Sequence, residues 1–268
     1  MAESRKVTKL LGAAGAALVA LSGAALADGY EGSIKDAPAD EGRKFTYSFS
    51  VTGTSDYVFR GQSQTDGDPT IQGAVNVGYG IFYAGVWASG LDFGGGADGI
   101  GSDAEIEADW YAGIKPTWGK ATFDFGVIYY TYPGASDQTT ELDYVELKAG
   151  VSGEVFDKLT AGATVYYSPD YTLETGRSWV YEGTLAYSLP TFHIFTPTVS
   201  GTVGYVDVEE ATFEYTYWNA GVSLAVEKIT FDFRYWDTDI SASESACVLG
   251  GLFACDERFV FSATVALP

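Results

Sequence analysis

Phe45-Thr46-Tyr47-Ser48-Phe49-Ser50-Val51 decides the fold of this chain, because every odd residue is apolar and every even one is Ser or Thr. A repeat of two makes a strand with one apolar and one polar face. Tyr57 and Phe59 continue the apolar parity, so the pattern predicts a first strand near 44–60. Gly61-Gln62-Ser63-Gln64-Thr65-Asp66-Gly67-Asp68-Pro69 then reads as a loop, by the turn chemistry of its Gly, Asp and Pro. Alternation resumes at Ile71, Gly73, Val75, Val77 and Tyr79 and, after Gly80, in a third run. A long loop at one end of a hairpin and a tight turn at the other is the unit that the rest of the chain repeats.

Working outward, the same periodicity predicts further strands near 69–79, 81–92, 104–115, 120–132, 141–152, 159–168, 178–189, 194–207, 213–226, 228–238 and 257–267. Tight connections at Gly80, Pro116 to Gly119, Gly153 to Lys158, Pro190 to His193 and Glu227-Lys228 alternate with longer, polar ones. An even strand count with short turns on one side and long loops on the other describes a bacterial outer-membrane barrel. The expected fold is all-β: a transmembrane antiparallel up-and-down β-barrel of about 12 strands over 44–268. Pro197, inside the ninth strand, lacks a ladder donor and marks a bulge or a boundary.

Alternation does not say which face is outside. The apolar face is free of charge along whole strands, as in Ile106, Ala108, Trp110, Ala112 and Ile114, or Phe259, Phe261, Ala263, Val265 and Leu267. Aromatics gather near strand ends: Tyr57, Phe59, Tyr129, Tyr167, Trp179, Tyr205 and Tyr235 toward the loops, and Tyr79, Phe82, Tyr187 and Phe195 toward the turns. Two aromatic girdles flanking an apolar band mark a lipid-facing surface. A closed twelve-strand barrel is also too wide to fill with side chains, so a soluble version would lack a packed core.

The N-terminus carries its own address. Arg5, Lys6 and Lys9 precede an apolar core from Leu10 to Gly23, and Ala25-Leu26-Ala27 offers a small-x-small cleavage site. This predicts a signal peptide over 1–27 and a polar periplasmic lead-in over 28–43. No run reaches the ~18 apolar residues that a membrane helix needs. The formal net charge of -21 repels phosphate and argues against nucleic acid as a partner.

The opening stretch also carries a resemblance. Ser55-Asp56-Tyr57-Val58-Phe59-Arg60-Gly61-Gln62-Ser63-Gln64-Thr65-Asp66-Gly67-Asp68-Pro69, with Ile71-Gln72-Gly73 and Phe82 to Ser89, is similar to the opening signature of the TorF family of porin-like proteobacterial outer-membrane proteins. Sharp matching is confined to about residues 47–93. The resemblance implies an outer-membrane β-barrel and supplies no catalytic or binding residues.

The polar face would line a lumen with Glu105, Glu107, Asp109, Lys115, Asp124, Glu146, Lys148, Glu182, Asp232, Arg234 and Arg258. Opposed acids and bases across water set up a transverse field at a constriction. Acids outnumber bases in that set, which predicts a weak cation preference. Catalysis finds little support: the single histidine, His193, sits in a tight turn, away from where a Ser-His hydrolase needs its base. Asp66-Gly67-Asp68 lacks a complete calcium-loop spacing and reads as a turn. Cys247 and Cys255, exported and seven residues of chain apart, read as a disulfide pinning the longest loop. The sequence thus points to a passive channel for small hydrophilic solutes or ions in the bacterial outer membrane. Lipid and lipopolysaccharide would be its surroundings, with no cofactor, no metal and no enzyme activity. A closed barrel serving as a surface or adhesion scaffold is the alternative.

Overall fold

The computed structural model describes residues 45–93, 104–135, 141–209, 213–240 and 254–268. The predicted signal peptide and lead-in therefore lie outside the described residues, as does Cys247. Twelve long strands run β1 (Phe45–Thr54), β2 (Thr70–Tyr79), β3 (Phe82–Gly90), β4 (Ile106–Ile114), β5 (Ala121–Thr131) and β6 (Tyr144–Phe156), then β7 (Leu159–Ser168), β8 (Ser178–Ser188), β9 (Thr196–Val208), β10 (Phe213–Val226), β11 (Ile229–Thr238) and β12 (Arg258–Leu267). Each pairs antiparallel with its sequence neighbours, and β12 pairs with β1 through registers such as Val51↔Val265, so the sheet closes on itself. Closure leaves no unpaired edge.

The period-2 pattern becomes two faces. Along β1 the apolar Phe45, Tyr47, Phe49 and Val51 are exposed, whereas Ser48 and Thr52 between them are buried. Trp110, Leu147, Leu185, Val203, Phe233 and Phe261 continue the exposed apolar belt around the ring. A surface apolar outside and polar inside suits hydrocarbon, not water. Pro197 needs no bulge: it pairs in register with Leu224, and its carbonyl faces β8 just before that ladder begins at Thr198. Its missing N–H points the same way, so it forfeits only the second bond of the Leu189–Pro197 pair, beyond the end of the ladder with β8.

Tyrosine rings cross the inside wall where glycines admit them. Tyr217 lies over Gly204, its register partner, and a Cβ at Gly204 would collide with the ring. Tyr83 likewise lies over Gly113 and Gly126. Such glycines are weak strand formers in isolation. Here they let large rings lie flat across neighbouring strands.

Two expectations fail. The first strand stops at Thr54, not at residue 60, and the chain then turns inward. The lumen is also partly filled, by this inturned loop rather than by the wall alone.

Candidate functional site

Val58–Phe59 pairs with Gln62–Ser63 to form a small hairpin whose tip is Arg60-Gly61. Both tip residues have positive φ, 48° and 83°, as a two-residue hairpin turn of the twist-matched kind requires. The hairpin stands inside the barrel at its loop end. Its tip reaches Glu146 on β6 on one side; on the other, Gly61 lies so close to Tyr217 on β10 and Thr238 on β11 that an added Cβ would stand 2.8 Å from the Tyr217 Cβ. Phe59 also packs on Tyr130 of β5, ring centroids 6.0 Å apart; since β5 and β11 are six strands apart in a ring of twelve, contact with both means that the hairpin spans the lumen.

Arg60 is the centre of this arrangement. Its two terminal nitrogens donate to both oxygens of Glu146, each at 2.8 Å, with side-chain exposures of 2% and 0%. Tyr130 donates its hydroxyl to the same carboxylate at 3.1 Å, and the guanidinium stands 5.1 Å from the Tyr166 ring centroid. Burial alone would favour neutral Arg60, but the Glu146 charge outweighs it and holds the guanidinium well above its ordinary range. Beside this pair, Tyr166 and Tyr217 donate to Glu182. Tyr130 and Tyr144 stack at 4.3 Å.

Asp56 fastens the base of the hairpin. One oxygen accepts from Ser63 at 2.6 Å and Thr65 at 2.9 Å, and the other from Arg258 on β12 at 2.7 Å. Ser63 also donates its backbone N–H to Ala254. Asp66 and Gly67, both with positive φ, form the turn after the hairpin, and Asp68 N–H bonds back to Thr65, so these acids shape a turn. Tyr57 packs on Trp87 at 5.2 Å. Burial first, then the charges of Glu107 and Asp109, push the Tyr57 phenol well above its usual range, so it stays neutral. Tyr132 is raised in the same way, by burial first and then by the charges of Glu107 and Asp109.

The sequence-predicted charges divide by position. Glu107, Asp109 and Glu146 are buried at the loop end, with Glu182 half-buried below them and Arg258 tied to Asp56. Glu105 is exposed just before β4. Toward the turns, Asp124 takes Lys148 at 3.3 Å, Lys115 at 3.7 Å and the Tyr83 hydroxyl at 2.7 Å. Arg234 is held by Asp232, Asn219 on β10 and Ser200 on β9. Tyr57 and Phe59, expected in the outer girdle, are inside with the hairpin instead. Arg60 was missed as a site residue. The signal was a hairpin turn, X-Gly between two short pairable runs, disguised by Arg where Asn or Asp is usual.

Cys255 is buried, and its carbonyl accepts from the Thr238 hydroxyl at 3.2 Å. Among the described residues no group of three His, Cys, Asp or Glu side chains could hold a metal ion.

Solved structures with the same architecture include a KdgM porin, with a TM-score of 0.53 and 8% identity, covering 82% of this chain and 99% of that one. A second, titled KdgM porin in complex with disordered oligogalacturonate, gives 0.52 and 7%, covering 83% and 100%. At such identity the likeness is one of fold, and the fold is that of a porin barrel. No curated protein matches the chain. The family match extends over residues 37–266, nearly the whole barrel and its approach, and the chain belongs to the family described as bacterial protein of unknown function (Gcw_chp).

Proposed function

We propose that this protein is an outer-membrane channel for small hydrophilic solutes, with its long loops outside and its first loop folded back as a stopper. The observation that carries this reading is the polar inner wall below the hairpin. Ser48 Oγ, Asn76 Nδ2, Thr198 Oγ1, Asn219 Nδ2 and Ser223 Oγ face inward and find no hydrogen-bond partner among the described residues. A barrel that served only as a sealed peg would complete such bonds or replace them by apolar packing, because each one left unmade costs about 1–3 kcal/mol. The exposed apolar belt and the porin fold support the membrane setting, and the TorF resemblance of the opening stretch falls on the stopper itself.

A second reading, a closed surface scaffold, is favoured by one observation: the hairpin spans the lumen and packs on stacked tyrosines. Conductance of the purified, refolded barrel in a planar bilayer separates the two. A channel gives small or intermittent current that grows when 57–65 is replaced by a short Gly-Ser link. Silence in both proteins, each shown to be folded by heat-modifiable migration on a gel, would leave only the scaffold. The same bilayer under a KCl gradient tests weak cation preference, which the acidic loop half favours.

A further inference from the structure

We infer that the wall pocket receiving Arg60 is a recognition site for small organic cations bearing a guanidinium group, and that the hairpin occupies it as an internal substitute for that solute. This rests on the channel reading and names its solute class. Apart from the adjoining Phe59 ring and Tyr171 of the loop after β7, the groups that grip the guanidinium come from the wall: both Glu146 oxygens at 2.8 Å, the Tyr130 hydroxyl that orients them, and the Tyr166 ring at 5.1 Å. A second carboxylate, Glu182, is held beside it by Tyr166 and Tyr217. An aromatic face over a paired carboxylate is how proteins bind a planar cation. The fork geometry favours guanidinium over ammonium or potassium, which cannot make two parallel hydrogen bonds.

The choice of an ion pair argues for displacement as well. A permanent stopper would gain at least as much from an apolar tip, since the desolvation of two buried charges offsets most of their attraction. A tip that copies a solute's charge can be exchanged for that solute. The hairpin is tethered, so Arg60 competes at an effective concentration on the order of millimolar. A free guanidinium compound must therefore reach that range to displace it.

Agmatine, which has a guanidinium and no carboxylate, is the probe. Val58, buried in the hairpin, is replaced by cysteine (Val58→Cys), and the refolded barrel is treated with a membrane-impermeant maleimide, with wild-type protein as the background. Agmatine at about ten times the tether's effective concentration should speed labelling about tenfold, while KCl of equal ionic strength should not. Adding Glu146→Gln should give fast labelling that no longer responds to agmatine. In calorimetry, Arg60→Ala should bind agmatine at least tenfold more tightly than wild type, because the competitor is gone. Labelling indifferent to agmatine in a folded barrel, or an Arg60→Ala protein that fails to bind it, overturns the proposal. Neither readout needs current, so a barrel that responds to agmatine yet stays silent in a bilayer would keep this site and lose the channel.

Discussion

The two halves of the barrel interior are built from the same alternating strands and are filled in different ways. In the loop half a hairpin carries Arg60 into a tyrosine-lined wall, and the charges there are mostly acidic: Asp56, Glu107, Asp109, Glu146 and Glu182 against Arg60 and Arg258. In the turn half no segment enters among the described residues, and bases prevail there: Lys115, Lys148 and Arg234 against Asp124 and Asp232. Strand periodicity decides which side chains face inward. What fills the space they enclose depends on a loop, and that is where the two halves part.

The sharpest test of this contrast is Glu146→Ala. It leaves Arg60 charged at the centre of the barrel with no carboxylate to receive both nitrogens. Removing one partner of a buried pair costs about 3–5 kcal/mol. The urea midpoint of the refolded protein should fall accordingly, with an unchanged slope. A loss no larger than that of a turn-half substitution would mean that the hairpin is not packed as described.

Next in size is the proposed Cys247–Cys255 bridge. It would hold the segment whose Ala254 carbonyl receives Ser63 N–H and whose Cys255 carbonyl receives Thr238 Oγ. Closing so short a loop contributes roughly 2–3 kcal/mol to its order. Reduction should therefore loosen the loop half alone: proteolysis between 240 and 254 should accelerate while unfolding of the strands is nearly unmoved. Non-reducing peptide mapping that finds free thiols in protein from intact cells would refute the bridge.

A pair of glycines separates backbone from packing. Gly61 and Gly67 share a φ of 83°, but an added Cβ at Gly61 meets Thr238 and Tyr217, and one at Gly67 meets nothing within 4 Å. Gly67→Ala should cost about 1 kcal/mol, the strain of the left-handed backbone alone. Gly61→Ala should cost about 1–3 kcal/mol more, because the hairpin tip must withdraw. Equal losses would place the tip away from the β10–β11 wall.

Most of the barrel was legible because period-2 patterning answers directly to a two-faced sheet. The predicted bounds 159–168 and 213–226 are those of β7 and β10, and the other strands end within a few residues of expectation, apart from β1 and β6. β6 runs on to Phe156, because Gly153 and its neighbours continue the ladder with β7 that their turn-like composition seemed to end. Residues 55–60 failed for a different reason. Tyr57 and Phe59 keep the odd parity of β1, so a periodicity test cannot tell a strand that continues outward from a hairpin that folds back. The partner that decides between them, Glu146, lies 86 residues away. The charge pattern was legible as a set of inward side chains, whereas its sorting into an acidic and a basic half required the ring to be closed.

The smallest expected effect is in the turn half. Asp124 receives Lys148 at 3.3 Å and Lys115 at 3.7 Å, with side-chain exposures of 10%, 11% and 25%. Lys115 also lies over the Tyr83 ring at 4.6 Å. These groups keep partial access to solvent, so Asp124→Asn should cost only about 1 kcal/mol, against several for Glu146→Ala. Its electrical effect is separable from its stability effect. Removing a carboxylate from a half already rich in bases makes the local potential more positive, which lowers cation occupancy there. Under a KCl gradient the reversal potential of the hairpin-deleted barrel should therefore move toward the anionic side. The shift should shrink as salt rises and the screening length falls from about 10 Å at 0.1 M to about 3 Å at 1 M. Replacing Glu105, which is exposed at the mouth, should shift it less. A larger shift from Glu105→Gln than from Asp124→Asn would put the controlling field at the loop end, and the turn half would then be a passive vestibule.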